Sequence, residues 1–273
     1  MLYTSQQTED IFQQKFAHLL VDLTNHVLTL TLHRPEKKNA LNPTLLNEFA
    51  YAMHFARCSD EVWVVVLKAS GDVWCAGMDL RALAGQLQAS DSTVPPPKGA
   101  VVLGDLMANL HKPCIAQVHA PVYAGGFLIV GGCTHVITSE KALFSLPEVK
   151  RGLFPFQVMS TLVQLMPARK ALDWCMRGKT LTAHEAHEVG LVTEVVVEEA
   201  LVKAVKTLVD DLLQYSPTAI RMGLEAYHAL LQLPQSEQHT FLYAQFAAIQ
   251  QTADAKEGMA AFNEKRKPNW TGR

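Results

Sequence analysis

Two short runs constrain the architecture more than anything else in this chain of 273 residues: 62–67 (VWVVVL) and 114–118 (CIAQV). Both read as strands with almost no polar alternation, so the sheet they join is covered on both faces. That points to an α/β body in which helices supply the covers. The neighbouring segments fit this reading. Residues 27–32 (VLTLTL) alternate as a strand, the turn-like HRPEKK follows, and Asn42-Pro43 reads as a helix N-cap with proline at the first helical position. A helix is expected near 100–110 and a short strand over 135–138.

The pattern changes at about residue 198. Long amphipathic helices follow, separated at Ser216-Pro217 and Leu233-Pro234, with no strong strand candidate. The chain is therefore divided into a core, 1–197, and a helical C-terminal region, 198–273, able to pack on its own body or on another subunit. Residues 85–98, which run through Gln, Ser and Asp into Pro95-Pro96-Pro97, read as a flexible loop. With 49% hydrophobic and 18% charged residues, the chain can bury a large core. Its formal net charge of -2 gives no overall field for nucleic acid or anionic membrane, so any phosphate must be met by a local cluster of cations. Five cysteines without CxxC spacing read as reduced thiols. The first sixteen residues lack a basic start and an apolar run, and no segment approaches a membrane span. A cytoplasmic compartment is the expectation.

Some motifs tempt and fail. Gly178-Lys179-Thr180 ends like a phosphate loop, but Asp173 stands where the loop's first glycine is required. His184-Glu185-Ala186-His187 puts its histidines three apart, whereas a zinc helix needs four, so no metal site is expected. No G-x-S-x-G elbow is present. His119, at the end of a strand, is either a functional group or a side chain tied to a loop.

The run 120–132, APVYAGGFLIVGG, is the most informative loop. Two adjacent glycines, Gly125 and Gly126, interrupt what otherwise reads as a buried helix, where each costs about 1 kcal/mol against alanine. If a helix starts near Gly125, its unsatisfied amides and positive dipole end make an oxyanion site, and glycine lets a ligand approach the backbone. The loop 75–80 (CAGMDL) offers a second set of amides. The alternative is that Gly125-Gly126 permits close helix packing and Gly77 simply makes a turn.

Six segments together resemble the enoyl-CoA hydratase/isomerase (crotonase) superfamily, in its order and spacing: HRPEKKNALN (33–42), WCAGMDL (74–80), VHAPVYAGG (118–126), FSLPEVKRGLFP (144–155), LTAHEAHEVGLV (181–192) and EGMAAFNEKRKP (257–268). The likeness runs from about Leu20 to the C-terminus. It implies a crotonase-like spiral of ββα repeats, a C-terminal helical trimerisation region, and a homo-oligomer that is a trimer or a dimer of trimers. It also implies an acyl-CoA thioester substrate, with coenzyme A entering as part of that substrate and no separate cofactor. The backbone N–H groups of Met78 and Gly125 would form the oxyanion hole. Arg34, Lys37, Ala40, Ala76, Asp79, Leu80, Gly126 and Leu128 would face the substrate or its CoA. Phe262 and Lys265 match positions that contact the adenine end, sometimes from a neighbouring subunit.

The resemblance also suggests which reaction. Hydratases of the family use two glutamates, one to activate water and one to protonate carbon. Here Leu128 occupies the first position, and leucine cannot orient or deprotonate water. Glu148, in the LPEV segment, stands at the second. A lone carboxylate in an apolar pocket suits a proton shuttle from C2 to C4, the pattern of 3-enoyl-CoA to 2-enoyl-CoA isomerases. The hydratase run P-G-A-G-G-T is here Pro155-Phe156-Gln157-Val158-Met159-Ser160, which predicts a reshaped, more apolar acyl pocket. Open alternatives are hydration with atypical groups such as Gln157 or His119, decarboxylation, and a non-catalytic acyl-CoA-binding oligomer.

Overall fold

The computed structural model describes residues 2–86 and 89–273. Its centre is a six-stranded sheet in the order β1-β2-β3-β4-β6-β9. The strands are β1 (Leu19–Thr24), β2 (Val27–Leu32), β3 (Val64–Ala69), β4 (Cys114–Val118), β6 (His135–Ser139) and β9 (Glu194–Val196). Only the β1/β2 hairpin is antiparallel; the other neighbours run parallel, as crossovers through helices require. A smaller sheet holds β5 (Val122–Tyr123), β7 (Leu143–Ser145) and β8 (Thr180–Thr182).

Helices α1 (Ser5–Thr8), α2 (Pro43–Cys58), α3 (Leu80–Leu83), α4 (Leu103–Ala108), α5 (Phe127–Val130), α6 (Phe156–Leu165), α7 (Ala168–Arg177) and α8 (Ala183–Glu188) fill the body. The long helices α9 (Leu201–Leu212), α10 (Pro217–Leu230), α11 (Gln235–Ile249) and α12 (Ala253–Glu264) complete the chain.

Strand β3 shows why the apolar runs lack alternation. Val65 and Leu67 enter the main core, while Val64 and Val66 turn to the other face and pack with Ile115 and Ile137 against Leu201, Val205 and Val209 of α9. Helix α9 is thus part of the body, so a break at 197/198 passes through packed structure. Helix α11 buries no residue and leaves Tyr243 and Phe246 exposed. Among the described residues no helix is long and apolar enough to cross a membrane.

Several boundaries differ from the sequence reading. β3 begins at Val64 rather than at 62, because pairing starts where Val27 meets Val64; Trp63 instead stacks on His26, with ring centroids 4.0 Å apart. The helix expected near 100–110 is confined to Leu103–Ala108. Of the expected flexible loop 85–98, Leu87 and Gln88 lie outside the described residues. The part from 89 to 98 has no regular secondary structure but is tied to the body: the Asn47 amide donates to the carbonyls of Val94 and Pro95, and the Thr93 N–H donates to the Lys15 carbonyl.

One capping signal acts as read. Asn42 caps α2 by accepting from the Leu45 N–H at 2.8 Å, with Pro43 at the first helical position. The HEAHE segment lies on the short helix α8, which opens with a capping box in which Thr182 and Glu185 satisfy each other's backbone N–H groups. All five cysteines are free.

Candidate active site

Three segments converge on one cleft of about 730 Å³. The first is the loop from β3 to α3, held from behind by the HRPEKKNALN segment. Asn39 is fully buried, and its amide donates to the carbonyls of Ser70 and Val73, each at 2.8 Å. Leu41 donates to the Gly77 carbonyl (2.8 Å) and accepts from the Asp79 N–H (3.0 Å). Met78 lies between these two bonds, and because its neighbours make both of them, its own N–H points to the opposite side, toward the cleft.

The second segment leaves β5. Ala124 has φ +50, a left-handed conformation that costs a non-glycine residue roughly 1–3 kcal/mol. It turns the chain into a 3-10 turn, Ala124–Gly126, followed by the single turn α5. Gly125 is in the first turn, where N–H groups precede the intrahelical bonds. The helix is shorter than the sequence suggested, so its macrodipole is slight and the amide itself is the donor. The two loops touch at Gly77, which has φ +82 and would put a Cβ 2.6 Å from the Ala124 Cβ and 2.9 Å from the Gly125 nitrogen. Only glycine fits there. A Cβ on Gly125 would lie 3.5 Å from the Met78 nitrogen, so the two amides border the same small space.

The third segment brings Glu148, the first residue of a 3-10 turn, Glu148–Arg151, after Pro147. Its carboxyl is half-buried, and Oε2 is buried without a hydrogen-bond partner among the described residues. Burial raises its pKa, while its own backbone N–H and the Arg151 charge oppose the shift. Behind it, the Cys175 thiol of α7 is pushed up first by burial and then by the Glu148 charge. The opposite and outer walls are apolar: Leu128, 5% exposed, with Leu153, Phe154, Phe156 and Val158.

Lys37, Ala40, Ala76, Met78, Asp79, Leu80, Gly125, Leu128 and Glu148 thus share the cleft, as the sequence grouped them. Arg34 does not. It is 2% exposed, and its guanidinium donates to Asp79 Oδ2 (2.8 Å) and to the Ala40 carbonyl (3.0 Å), so it braces the loop from beneath instead of facing a phosphate. That hydrogen bond holds the Asp79 carboxyl below the usual aspartate range.

Gly126 is also displaced from its expected role. A Cβ there would meet Cys75 Cβ at 3.0 Å and Val122 Cγ1 at 3.1 Å, so this glycine serves packing and leaves no room for a ligand. Phe262, 84% exposed, and Lys265, just past α12, do not line the cleft. His119 is a loop tie, its Nε2 lying 2.8 Å from the Gly71 carbonyl oxygen. Gln157 does line the cleft, and so do two cations not singled out from sequence, Arg81 and Arg151.

Comparison with known proteins gives consistent results. The protein-family model for "Enoyl-CoA hydratase/isomerase" matches residues 22–273. The chain is 32% identical over 275 residues to "Probable enoyl-CoA hydratase, mitochondrial" of Dictyostelium discoideum, covering 98% of this chain and 95% of that protein. It is 33% identical over 258 residues to "Probable enoyl-CoA hydratase" of Rhizobium meliloti, covering 93% and 98%. Among solved structures, an enoyl-CoA hydratase from Mycobacterium tuberculosis superposes with a TM-score of 0.83 at 27% identity, covering 94% of this chain and all of that one. The α/β body and helical C-terminal region are therefore those of the crotonase fold.

Proposed function

The chain belongs to the enoyl-CoA hydratase/isomerase family, and from that premise we propose that it is a 3-enoyl-CoA to 2-enoyl-CoA isomerase in which Glu148 is the sole proton carrier. The thioester carbonyl accepts hydrogen bonds from the N–H groups of Met78 and Gly125. Ionised Glu148 removes a proton from C2, the electrons move onto the carbonyl oxygen as a dienolate, and the two amides meet that charge without reorganising. The same carboxyl then returns the proton to C4, leaving the double bond between C2 and C3. Burial of Glu148 brings its pKa closer to working pH, which suits an acid and base in one group.

The observation that carries this reading is the pairing of a partly buried carboxylate, whose Oε2 has no hydrogen-bond partner among the described residues, with Leu128 in one cleft. Asp79 is the other carboxylate of the lining, and it is bound to Arg34. Among the described residues no second carboxylate lining the cleft is left to activate water. The names of the relatives favour a second reading, hydration of 2-enoyl-CoA, for which Gln157 would orient the water. In either case the exposed aromatic surface of α11 and α12 would join subunits, bringing Phe262 and Lys265 to the adenine end of CoA in a trimer.

Incubating the purified protein separately with 3-enoyl-CoA and 2-enoyl-CoA separates the readings. Isomerisation predicts migration of the double bond in the first and its persistence in the second. Efficient water addition to 2-enoyl-CoA refutes the argument from Leu128. Glu148→Gln is expected to abolish turnover while a saturated acyl-CoA still binds, and undiminished turnover excludes Glu148 as the base.

A further inference from the structure

The cleft holds more positive charge than a neutral acyl chain and one proton carrier call for. Lys37, Arg81 and Arg151 line it as exposed side chains, and among the described residues none has an ion-pair partner. The two carboxylates of the lining do not balance them: Asp79 is paired with Arg34 from beneath, and Glu148 is half-buried.

Arg151 differs from the other two cations by its element. Lys37 and Arg81 flank the Met78 loop, whereas Arg151 ends the 3-10 turn that Glu148 begins. Positions i and i+3 of such a turn eclipse, so both side chains leave from one face, separated by roughly 6 Å along the axis at ~2 Å rise per residue. The Arg151 charge reaches the Glu148 carboxyl, which places the two groups in one electrostatic environment. Leu153, Phe154 and Phe156 follow directly and form the apolar wall. If the carbonyl sits at Met78 and Gly125 and the reacting carbons at Glu148, Arg151, on the same face of the turn as Glu148, would be presented to the acyl group.

We propose that Arg151 is a specificity residue and that the cleft selects acyl-CoA thioesters whose acyl chain carries a carboxylate, which pairs with the Arg151 guanidinium beyond the carbons that Glu148 reaches. The proposal rests on the reading of Glu148 as the base that faces the acyl carbons. A guanidinium suits this task, because its planar fork meets both oxygens of a carboxylate. Selectivity arises as a difference: the carboxylate gains a charge-assisted pair, and a purely alkyl chain leaves the cation unmatched.

The test is calorimetric titration of the purified protein with adipyl-CoA and hexanoyl-CoA, saturated thioesters of equal chain length that need no turnover. The wild type is expected to bind adipyl-CoA at least tenfold more tightly, equivalent to about 1.4 kcal/mol. Arg151→Leu should bring the ratio close to one, and Arg151→Lys should leave an intermediate value. Lys37→Ala should weaken both esters alike and preserve the ratio, since its partner would be the CoA moiety common to both. A wild-type ratio near one, or a preference that survives Arg151→Leu, overturns the proposal. A tenfold preference in a protein that fails to isomerise 3-enoyl-CoA supports it and rejects only the isomerase reading.

Discussion

Replacing each glycine of the Gly125-Gly126 pair by alanine should separate two functions that sit side by side. At Gly126 the added methyl would lie 3.0 Å from Cys75 Cβ, 3.1 Å from Val122 Cγ1 and 3.2 Å from Cys75 Sγ, all core side chains on fixed backbone. Overpacking of this kind costs about 1–3 kcal/mol. At roughly 2–4 °C per kcal/mol for domains approaching this size, Gly126→Ala should melt some 2–12 °C below the wild type. At Gly125 the nearest atoms are Met78 Cγ and N at 3.5 Å and Gly77 Cα at 3.7 Å, which are ordinary contacts. Its φ is not positive, so alanine brings no strain there, and the lost freedom of the unfolded chain adds about 0.4–1 kcal/mol of stability. The same methyl, however, stands beside the Met78 N–H, in the space assigned to the thioester oxygen. Removing one oxyanion donor lowers rate by about 10²–10³ in a well-studied protease, and Gly125→Ala should lose a comparable factor in kcat/KM for 3-enoyl-CoA. The assay is a thermal melt followed by circular dichroism, with double-bond migration measured on the same preparations. A Gly125→Ala protein within threefold of wild-type kcat/KM would show that the carbonyl is not held between these amides.

Two predictions concern titration. Glu148 must be ionised to act as the base, so the isomerisation rate should fall as pH drops through a pKa above the ordinary 4.5. Because the fold raises that pKa, the group's contribution to stability is complete below 4.5 and is lost as pH rises through the folded value. Glu148→Gln should therefore melt at or above the wild type at pH 7, with the difference vanishing below pH 4.5; a markedly lower melting point at pH 7 would mean that the carboxylate is a structural partner. Asp79 shifts the other way, since the hydrogen bond from Arg34 lowers its pKa from 3.8. Its stabilisation is present above 3.8 and lost as pH falls through the depressed value. Asp79→Ala leaves the Arg34 guanidinium, 2% exposed, without this counter-charge. Breaking a buried pair costs ~3–5 kcal/mol, and the 14% exposure of Asp79 places this one at the low end, readable as a lower urea midpoint at pH 7.

What the sequence disclosed depended on whether the cause was local. Strands β2 and β4 fall where their apolar patterns place them, and Asn42-Pro43 starts α2, because pattern and capping act within a few residues. The third strand was misplaced by two residues, because its start is set by pairing with β2 and by Trp63 stacking on His26. Arg34 was expected to face the substrate or its CoA, and its burial against Asp79 went unseen because that partner is 45 residues away and charge in a sequence carries no information on burial. Arg151 went unremarked for a related reason: its direction relative to Glu148 depends on the turn being 3-10, and no periodicity can be read from four residues.

The glycine pair shows where the limit lies. Gly125 and Gly126 are adjacent and chemically identical, yet one borders the space between two amides and the other packs on Cys75. The division is made at two other residues, Ala124 with φ +50 and Gly77 with φ +82, whose contact fixes how the second loop turns against the first. A single backbone reversal before the pair decides which glycine faces the cleft. That reversal is a tertiary event, imposed where Tyr123 N–H bonds the Cys75 carbonyl at 2.9 Å. Family resemblance could name Gly125 as a donor, but the separate role of Gly126 follows only from the packing of the first loop beneath it.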